Sequence, residues 1–558
     1  MSENTRIFFD NVVPRALHPK KNKKIILQDE SQLISNELIR GKIKNSKTKL
    51  FFTMVILLSV TLYSVYRALM YSTQEQTTFE VTRYEKQNRG LIYDRNENII
   101  SASIPAKDLF INPKKLLNPK MSKEKLKKIF PERNFSQFDT LKSYRLIKKY
   151  ISRSEEIEIK KIGEPGFVIE STTRRVYPQN NLFSNVTGFL SKHGKAQSKI
   201  EKNFDKFLSE GNDLNLTLDL KIQNIVHEEL SYGMKSFNSK SAASIVINVN
   251  NGEVLSLVSL PDYNPNYPSM IGPYAENNLI TSARYEMGST LKTFTVASAI
   301  NAKVNINDTF FDVTNPYFIS KNEIKDIIKF EKPQNISNIF INSSNIGSIK
   351  LFDYLGLDWQ KSFFELVGLK DETRIHGLKS IKNKFPKIWD QNSGRSLSFG
   401  YGASITPISL VRSFSTLVNG GYKINLSLIK NEIIQKEKII DLSVSQEINK
   451  LLHSVVELGT GRYAKVEKLE IGGKTGTTRK IKDGKYSNDV ITSFIGIFPI
   501  DNPQYLVFVL FDEPNSKNTN HNFYGGNTAA PVFSKIVSRI YPILEHEKIT
   551  AYNLSSEK

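Results

Sequence analysis

The 558-residue chain has no cysteine, which excludes disulfides and thiolate metal sites. Its seven histidines (His18, His193, His227, His376, His453, His521 and His546) are scattered without metal-ligand spacing, so neither a metal nor another cofactor is expected. No internal repeat and no long low-complexity linker is visible. The net charge is +21, yet Lys and Arg are spread along the whole chain and no nucleic-acid recognition module stands out among them. Nucleic acid is therefore not an expected partner. Such a basic exterior suits proximity to anionic lipid or wall polymer.

One run is free of charge. From Leu50 to Tyr66 the sequence LFFTMVILLSVTLYSVY is mostly apolar, and Ala68, Leu69 and Met70 could extend it past Arg67 to the length of a membrane span. Residues 1–49 carry eleven Lys and Arg against five Asp and Glu, which places this tail in the cytoplasm and the rest outside. A cleaved signal peptide needs a short basic start and a small-residue exit, and neither is present. The expectation is an uncleaved anchor helix over 50–71.

Three short motifs in the second half carry chemistry: Ser289-Thr290-Leu291-Lys292, Ser343-Ser344-Asn345 and Lys474-Thr475-Gly476-Thr477. In the order Ser-x-x-Lys, Ser-x-Asn, Lys-Thr-Gly they supply the parts of a serine acyl-transfer site. Ser-x-x-Lys alone is weak, since it also begins at Ser46, Ser122, Ser427 and Ser555. Context selects Ser289. Leu291, Phe294, Ala297 and Ile300 predict a helix from Ser289 to about Ala302, on which Ser289 and Lys292 share a face. Gly288 permits a sharp entry, and a helix N-terminus favours developing negative charge.

A serine hydroxyl needs a base, and a lysine serves only when partly neutral, against a free pKa of about 10.4. Burial beside a second cation would depress it, and Lys474 is the candidate cation. Which lysine takes the proton is left open by the residues alone. The third motif follows Leu469-Glu470-Ile471-Gly472-Gly473, a strand signal whose small residues let a substrate backbone approach. Its lysine and two hydroxyls suit a carboxylate; a Gly-rich hairpin with a surface lysine is the bland alternative. Ser343-Ser344-Asn345 precedes an apolar stretch, so a helix N-cap competes with a catalytic role there.

Around the motifs, short strand-like runs and Lys-rich helices over about 77–211 predict a non-catalytic α+β platform. A helix is expected near Leu220, and strands over 244–249 and 254–258 flank the hairpin signal Asn251-Gly252. A helical middle over 285–460 follows, then strands at 491–499 and 505–512 and a last helix over about 530–541. Strands at both ends of a domain with helices between predict one antiparallel sheet packed by helices.

With these motifs and their companions the chain resembles the class B penicillin-binding proteins, most of all the septal D,D-transpeptidases of bacterial division. The companions are Arg89-Gly90, Asp94-Arg95, Tyr177-Pro178, Gly188, Leu216-Thr217-Leu218-Asp219, Ser398-Phe399-Gly400-Tyr401-Gly402, Gly459-Thr460-Gly461 and Tyr524-Gly525-Gly526. The resemblance implies an α+β multidomain protein of the inner membrane. It would comprise a tail over 1–49, an anchor helix over 50–71, a pedestal over 72–225, a β-lactamase-like transpeptidase domain over 226–545 and a tail over 546–558. It also implies roles. Ser289 would attack the bond between two terminal D-alanines, Lys292 would take its proton, and Ser343 would relay one to the leaving D-alanine. Asn345 and Lys474 would hold that network, and Thr475, Gly476 and Thr477 would bind the substrate end. Backbone N–H groups of Ser289 and Thr477 would form an oxyanion hole.

Peptidoglycan stem peptides and β-lactams are the implied substrates and inhibitors. The membrane, a glycan polymerase and small bitopic division proteins are the implied partners. Met287 and Glu97 depart from the family pattern, where proline and glycine are usual, but carry no chemistry. Asn345 favours the division type over the elongation type. A membrane-anchored β-lactamase or penicillin sensor and a non-catalytic division scaffold are the competing readings.

Overall fold

A computed structural model describes residues 51–67, 89–191, 193–373, 375–515 and 523–556. The expected tail over 1–49, Leu50 and the stretch 68–71 of the expected anchor lie outside them. Two units divide the chain, Met1–Glu85 and Lys86–Lys558. In the first, residues 51–67 form a helix (α1) with exposed side chains. Among the described residues no helix is long and apolar enough to cross a membrane.

The second unit opens with the platform. Strand β1 (Ile99–Ile111) pairs antiparallel with β2 (Arg145–Lys148) and with β3 (Phe167–Val176), the latter in register from Ala102↔Val176 to Ile111↔Phe167. Two Lys-rich helices pack beside them, and local sequence fixes their ends. In α2 (Pro119–Ile129) the Asn118 side chain accepts the Met121 N–H, and Pro119 fills the first turn, where no N–H is needed. In α3 (Arg153–Ile162) Ser152 and Glu155 form a reciprocal capping box, and Gly163 closes the helix with φ +67°. Leu109, Ile111, Leu126, Phe130 and Ile159 form a small core between these elements.

After α4 (Leu220–Ser236) comes the sheet that carries the site. Strands β4 (Ser241–Asn248), β5 (Val254–Leu260), β6 (Gly472–Lys482), β7 (Lys485–Phe498) and β8 (Tyr505–Asp512) are ordered β6-β7-β8-β4-β5, every pair antiparallel. Period-2 alternation buries both faces. Val246, Val507, Val509, Phe511 and Phe494 pack under α4 and the last helix, α9 in chain order (Ala529–Ser556), while Ile245, Ile247, Leu506, Phe508, Leu510 and Ile495 face the helical layer opposite. That layer holds α5 (Lys292–Asn301), α6 (Asn345–Leu355), α7 (Pro407–Val418) and α8 (Leu442–Glu457).

The antiparallel sheet closed by terminal segments and packed by helices is as expected, with three corrections. The middle is not helical throughout: Phe310–Phe311, Tyr317–Ile319, Asn322–Ile324 and Gln334–Asn335 are short strands, too brief to show a period. The third motif lies inside a long strand and does not follow one. The last helix runs through Pro542, a residue that ordinarily breaks helices, and not merely to Tyr541.

Candidate active site

Ser289 sits in a single 3₁₀ turn, Gly288–Thr290, which feeds α5 through Leu291, so the expected helix begins as a tighter turn. Two glycines make that turn possible. Gly288 has φ +54°, and a Cβ on it would stand 2.7 Å from the Thr477 carbonyl oxygen. Gly400, φ +102°, lies so close that its own Cβ would meet the Gly288 oxygen at 2.0 Å. The Gly288 N–H donates to the Gly400 oxygen (3.1 Å), and Thr290 Oγ1 donates to the Met287 oxygen (2.8 Å). Gly288 and Thr290 are buried while Ser289 is partly exposed. The residue that departs from the family pattern, Met287, is buried beneath the turn.

Lys292, at the first position of α5, is 1% exposed. Its ammonium donates to the Ser343 carbonyl (2.5 Å), Ser343 Oγ (3.2 Å) and Asn345 Oδ1 (2.7 Å). Lys474, fully buried on β6, donates to the same Ser343 Oγ at 3.0 Å and stands 5.7 Å from the Phe340 ring centroid. The second motif's hydroxyl therefore bridges the lysines of the first and third. A hydroxyl oxygen has two lone pairs, so with both occupied Ser343 keeps its proton to donate elsewhere. Ser343 is held at φ +60°, an uncommon conformation outside glycine that surrounding contacts must sustain. Ser344 is an N-cap, its side chain accepting the Gly347 N–H (2.8 Å), as the competing reading of this motif expected.

Burial disfavours charge on both amines. It brings Lys292 down to about 7, with the Asp326 carboxylate opposing the fall. Lys474 is pushed well below the usual lysine range, first by burial and then by the Lys292 charge. The two buried amines share one hydroxyl, and charge on one disfavours charge on the other. Of the burial and the second cation expected to depress Lys292, burial is the cause that acts on it, while the charge of Lys292 acts on Lys474.

The third motif lies on the edge strand, in register Lys474↔Ile495, Thr475↔Phe494, Gly476↔Ser493 and Thr477↔Thr492. A Cβ on Gly476 would stand 2.3 Å from Ser493 Oγ and 3.0 Å from the Met287 oxygen, which shows how closely the strand abuts the Ser289 turn. Thr475 Oγ1 pairs with Thr460 Oγ1 (2.9 Å), and Thr477 Oγ1 accepts the Gly525 N–H (2.9 Å), leaving its own proton to donate. The Ser289 N–H, in the first turn, has no carbonyl to reach within the helix.

Ser289, Lys292, Ser343, Asn345, Lys474, Thr475, Gly476 and Thr477 are thus gathered at one sheet edge. Two of the rival Ser-x-x-Lys copies are used otherwise. Ser122 donates to Glu164 (2.7 Å), Ser427 lies in a two-residue strand, and Lys430 donates to the Arg95 carbonyl (2.8 Å). Ser46 and Lys558 lie outside the described residues. Among the described residues no three His, Asp or Glu side chains gather to hold a metal ion.

Sequence reasoning passed over two flanking carboxylates. Glu286 accepts from the Gly402 N–H (2.8 Å) and the Tyr486 hydroxyl (3.2 Å), and burial pushes its pKa up. Asp326 meets the second motif through Ser344 Oγ (2.5 Å) and the Asn345 and Ile346 N–H groups. Neither has a fixed spacing to a motif that would flag it.

Comparison with known proteins adds to this geometry. The family model described as penicillin binding protein transpeptidase domain matches residues 242–538, and that described as penicillin-binding protein dimerisation domain matches 84–214. A protein of Neisseria gonorrhoeae named "Probable peptidoglycan D,D-transpeptidase PenA" is 30% identical over 82% of this chain and 84% of its own length. One of Caulobacter vibrioides named "Probable peptidoglycan D,D-transpeptidase FtsI" is 29% identical over 82% of this chain and 81% of its own. A crystal structure from Atopobium parvulum, bearing the name of a peptidoglycan glycosyltransferase, superposes with a TM-score of 0.63. It covers 81% of this chain and 96% of its own at 19% identity, which shows a shared fold.

Proposed function

This chain belongs to the class B penicillin-binding proteins, and from that premise we propose which of its groups carry out the peptidoglycan D,D-transpeptidase reaction. In our reading neutral Lys292 takes the proton of Ser289 Oγ, which attacks the carbonyl carbon between the two D-alanines of a stem peptide. The developing oxyanion sits on the Ser289 and Thr477 N–H groups, the Lys474–Thr477 edge holds the terminal carboxylate, and Gly476 keeps that edge bare. As the C–N bond breaks, Ser343 passes its proton to the departing D-alanine amine and is refilled through the lysines it bridges. The amine of a second stem peptide then attacks the ester; Ser289 recovers its proton and the cross-link remains. β-Lactams acylate the same serine.

The observation that carries this assignment is the buried amine of Lys292, brought down to about 7 and bonded to Ser343 and Asn345. Labelling the full-length chain with a fluorescent penicillin tests it. A stable adduct on the wild type and none on Ser289→Ala is expected; equal labelling of the variant contradicts it, and rapid loss of label points to a β-lactamase.

We further infer a septal role, an anchor over 50–71 with the N-terminus cytoplasmic, and the boundaries 1–49, 50–71, 72–225, 226–545 and 546–558. Asparagine at position 345, the basic tail and the apolar run support this reading. A glycan polymerase and small bitopic proteins would then be met through anchor and pedestal. Replacing 50–71 with an unrelated span is expected to abolish their co-purification, and unchanged recovery contradicts it.

A further inference from the structure

We propose that Asp326 is a positioning residue for transpeptidation: its carboxylate locks the second motif into the geometry that presents Ser343 and Asn345 to Lys292. This inference rests on the assignment of Ser289 and Lys292 above. Asp326 follows the short strand Asn322–Ile324 and reaches across to the start of α6. One oxygen accepts the Asn345 and Ile346 N–H groups (the latter at 3.2 Å), and the other accepts the Ser344 hydroxyl at 2.5 Å. Ser344 in turn accepts the Gly347 N–H at 2.8 Å. Three donors that the helix itself cannot satisfy are thus met by one carboxylate and the serine it holds, and negative charge is favoured at that helix end.

The neighbouring Lys325 carbonyl accepts Asn345 Nδ2 at 3.0 Å. That contact fixes which end of the Asn345 amide faces inward, and the inward oxygen is the one that receives Lys292 Nζ at 2.7 Å. Residues 325 and 326 therefore pin both the backbone and the side chain of Asn345. Ser343, at φ +60°, is strained between this clamp and the two lysines, a conformation that depends on both sides being held.

Charge adds a second effect. The charged groups facing Lys292 are Asp326 from this segment and Lys474 from β6, while Ser289, Ser343 and Asn345 are neutral. Asp326 favours the protonated amine. Removing its charge should free the base at lower pH even while loosening the loop.

The test is the second-order rate of acylation by a fluorescent penicillin between about pH 5.5 and 9, on full-length wild type, Asp326→Asn, Asp326→Ala and Ser289→Ala. For Asp326→Asn the acid limb is expected to move down by about one pH unit. The plateau should fall about tenfold for this variant and about 10²-fold for Asp326→Ala, because only the amide retains an acceptor for the Asn345 N–H. A merely structural residue would lower the plateau without moving the limb. Profiles and plateaus matching wild type in both variants overturn the proposal. So does loss of the cooperative melting transition in both, which would make Asp326 a folding residue. Labelling of Ser289→Ala would overturn the nucleophile assignment instead, leaving the two failures distinct.

Discussion

The Lys292 amine, brought down to about 7 by burial, changes charge close to neutrality. In the proposed role only its neutral form accepts the Ser289 proton, so the acylation rate should rise about tenfold per pH unit below that value and level above it. A stopped-flow pH profile with a chromogenic β-lactam checks this; a flat profile through pH 7 contradicts it. Lys292→Arg keeps the shape of a cation but cannot lose its proton, and acylation is expected to fall by about 10²–10⁴-fold. The same depression has a stability consequence. Unfolded, the amine titrates near about 10.4, so between about pH 7 and 10 the unfolded chain binds more protons and stability rises with pH. Lys474, depressed in the same direction, adds to the slope. The urea midpoint should therefore be higher at about pH 9 than at about pH 7, and less so in Lys292→Met. At this scale the motif residues were legible because each motif is a short local pattern: Ser289 and Lys292 three apart on a helical turn, and Thr475 and Thr477 two apart on one face of a strand. Asp326 was not, because an isolated carboxylate in a stretch of short strands carries no pattern.

Between the motifs, the elements hold the reacting turn by backbone approach more than by side chains. Gly400 faces the Gly288 carbonyl so closely that any Cβ displaces the turn bearing Ser289. Gly402, two residues on, has an equally unusual φ of +88° but only Ser396 at 3.7 Å from its would-be Cβ. The pair separates conformational strain from collision. Gly402→Ala should cost about 1–2 kcal/mol of stability and keep near-normal penicillin acylation. Gly400→Ala should lose acylation by about 10²-fold or more, because a shift of about 1 Å in the nucleophile is enough. Comparable acylation in both variants would contradict a role for that approach. The sequence stretch Ser398–Gly402 was recognisable only by resemblance, since nothing in its spacing says that it lies against Gly288. The sheet was easier to read: Asn251-Gly252 and the short apolar runs of β4, β5 and β8 reveal themselves locally. The last helix runs past its expected end near Tyr541 because burial of Ile536, Val537, Ile540 and Leu544 against the sheet outweighs the local breaker Pro542.

On the scale of the molecule, the platform and the transpeptidase sheet belong to one unit joined by a shared core and by hydrogen bonds to the start of α4. Ile92, Ile100, Phe183 and Val186 from the platform side pack in the same cluster as Leu257, Phe294 and Phe508 beside the sheet. Asp94 accepts the Leu220 N–H (3.0 Å), and Asn96 donates to Asp219 (2.6 Å), the residue that caps α4. At the centre of the platform Glu201, fully buried, accepts from Arg89 Nε (2.7 Å), Arg175 Nε (2.8 Å), Ser101 Oγ (3.2 Å) and the Tyr177 hydroxyl (3.2 Å). Arg89 and Tyr177 were conspicuous in the sequence as parts of a family pattern. Glu201, on which they converge with Arg175, was not, because a buried carboxylate is defined by partners more than a hundred residues away in one case. Glu201→Ala leaves the buried Arg175 guanidinium without its counter-charge and Arg89 with Asp205 alone, and is expected to cost about 3–5 kcal/mol. Because the core is shared, that loss should reach the distant site through unfolding alone. Urea curves followed by far-UV dichroism and by residual penicillin labelling should shift together by the same amount, with labelling intact before the transition. If the labelling curve stays in place while the dichroism curve splits, the platform melts by itself, and the sheet edge that carries Ser289 and Lys474 does not depend on it for stability.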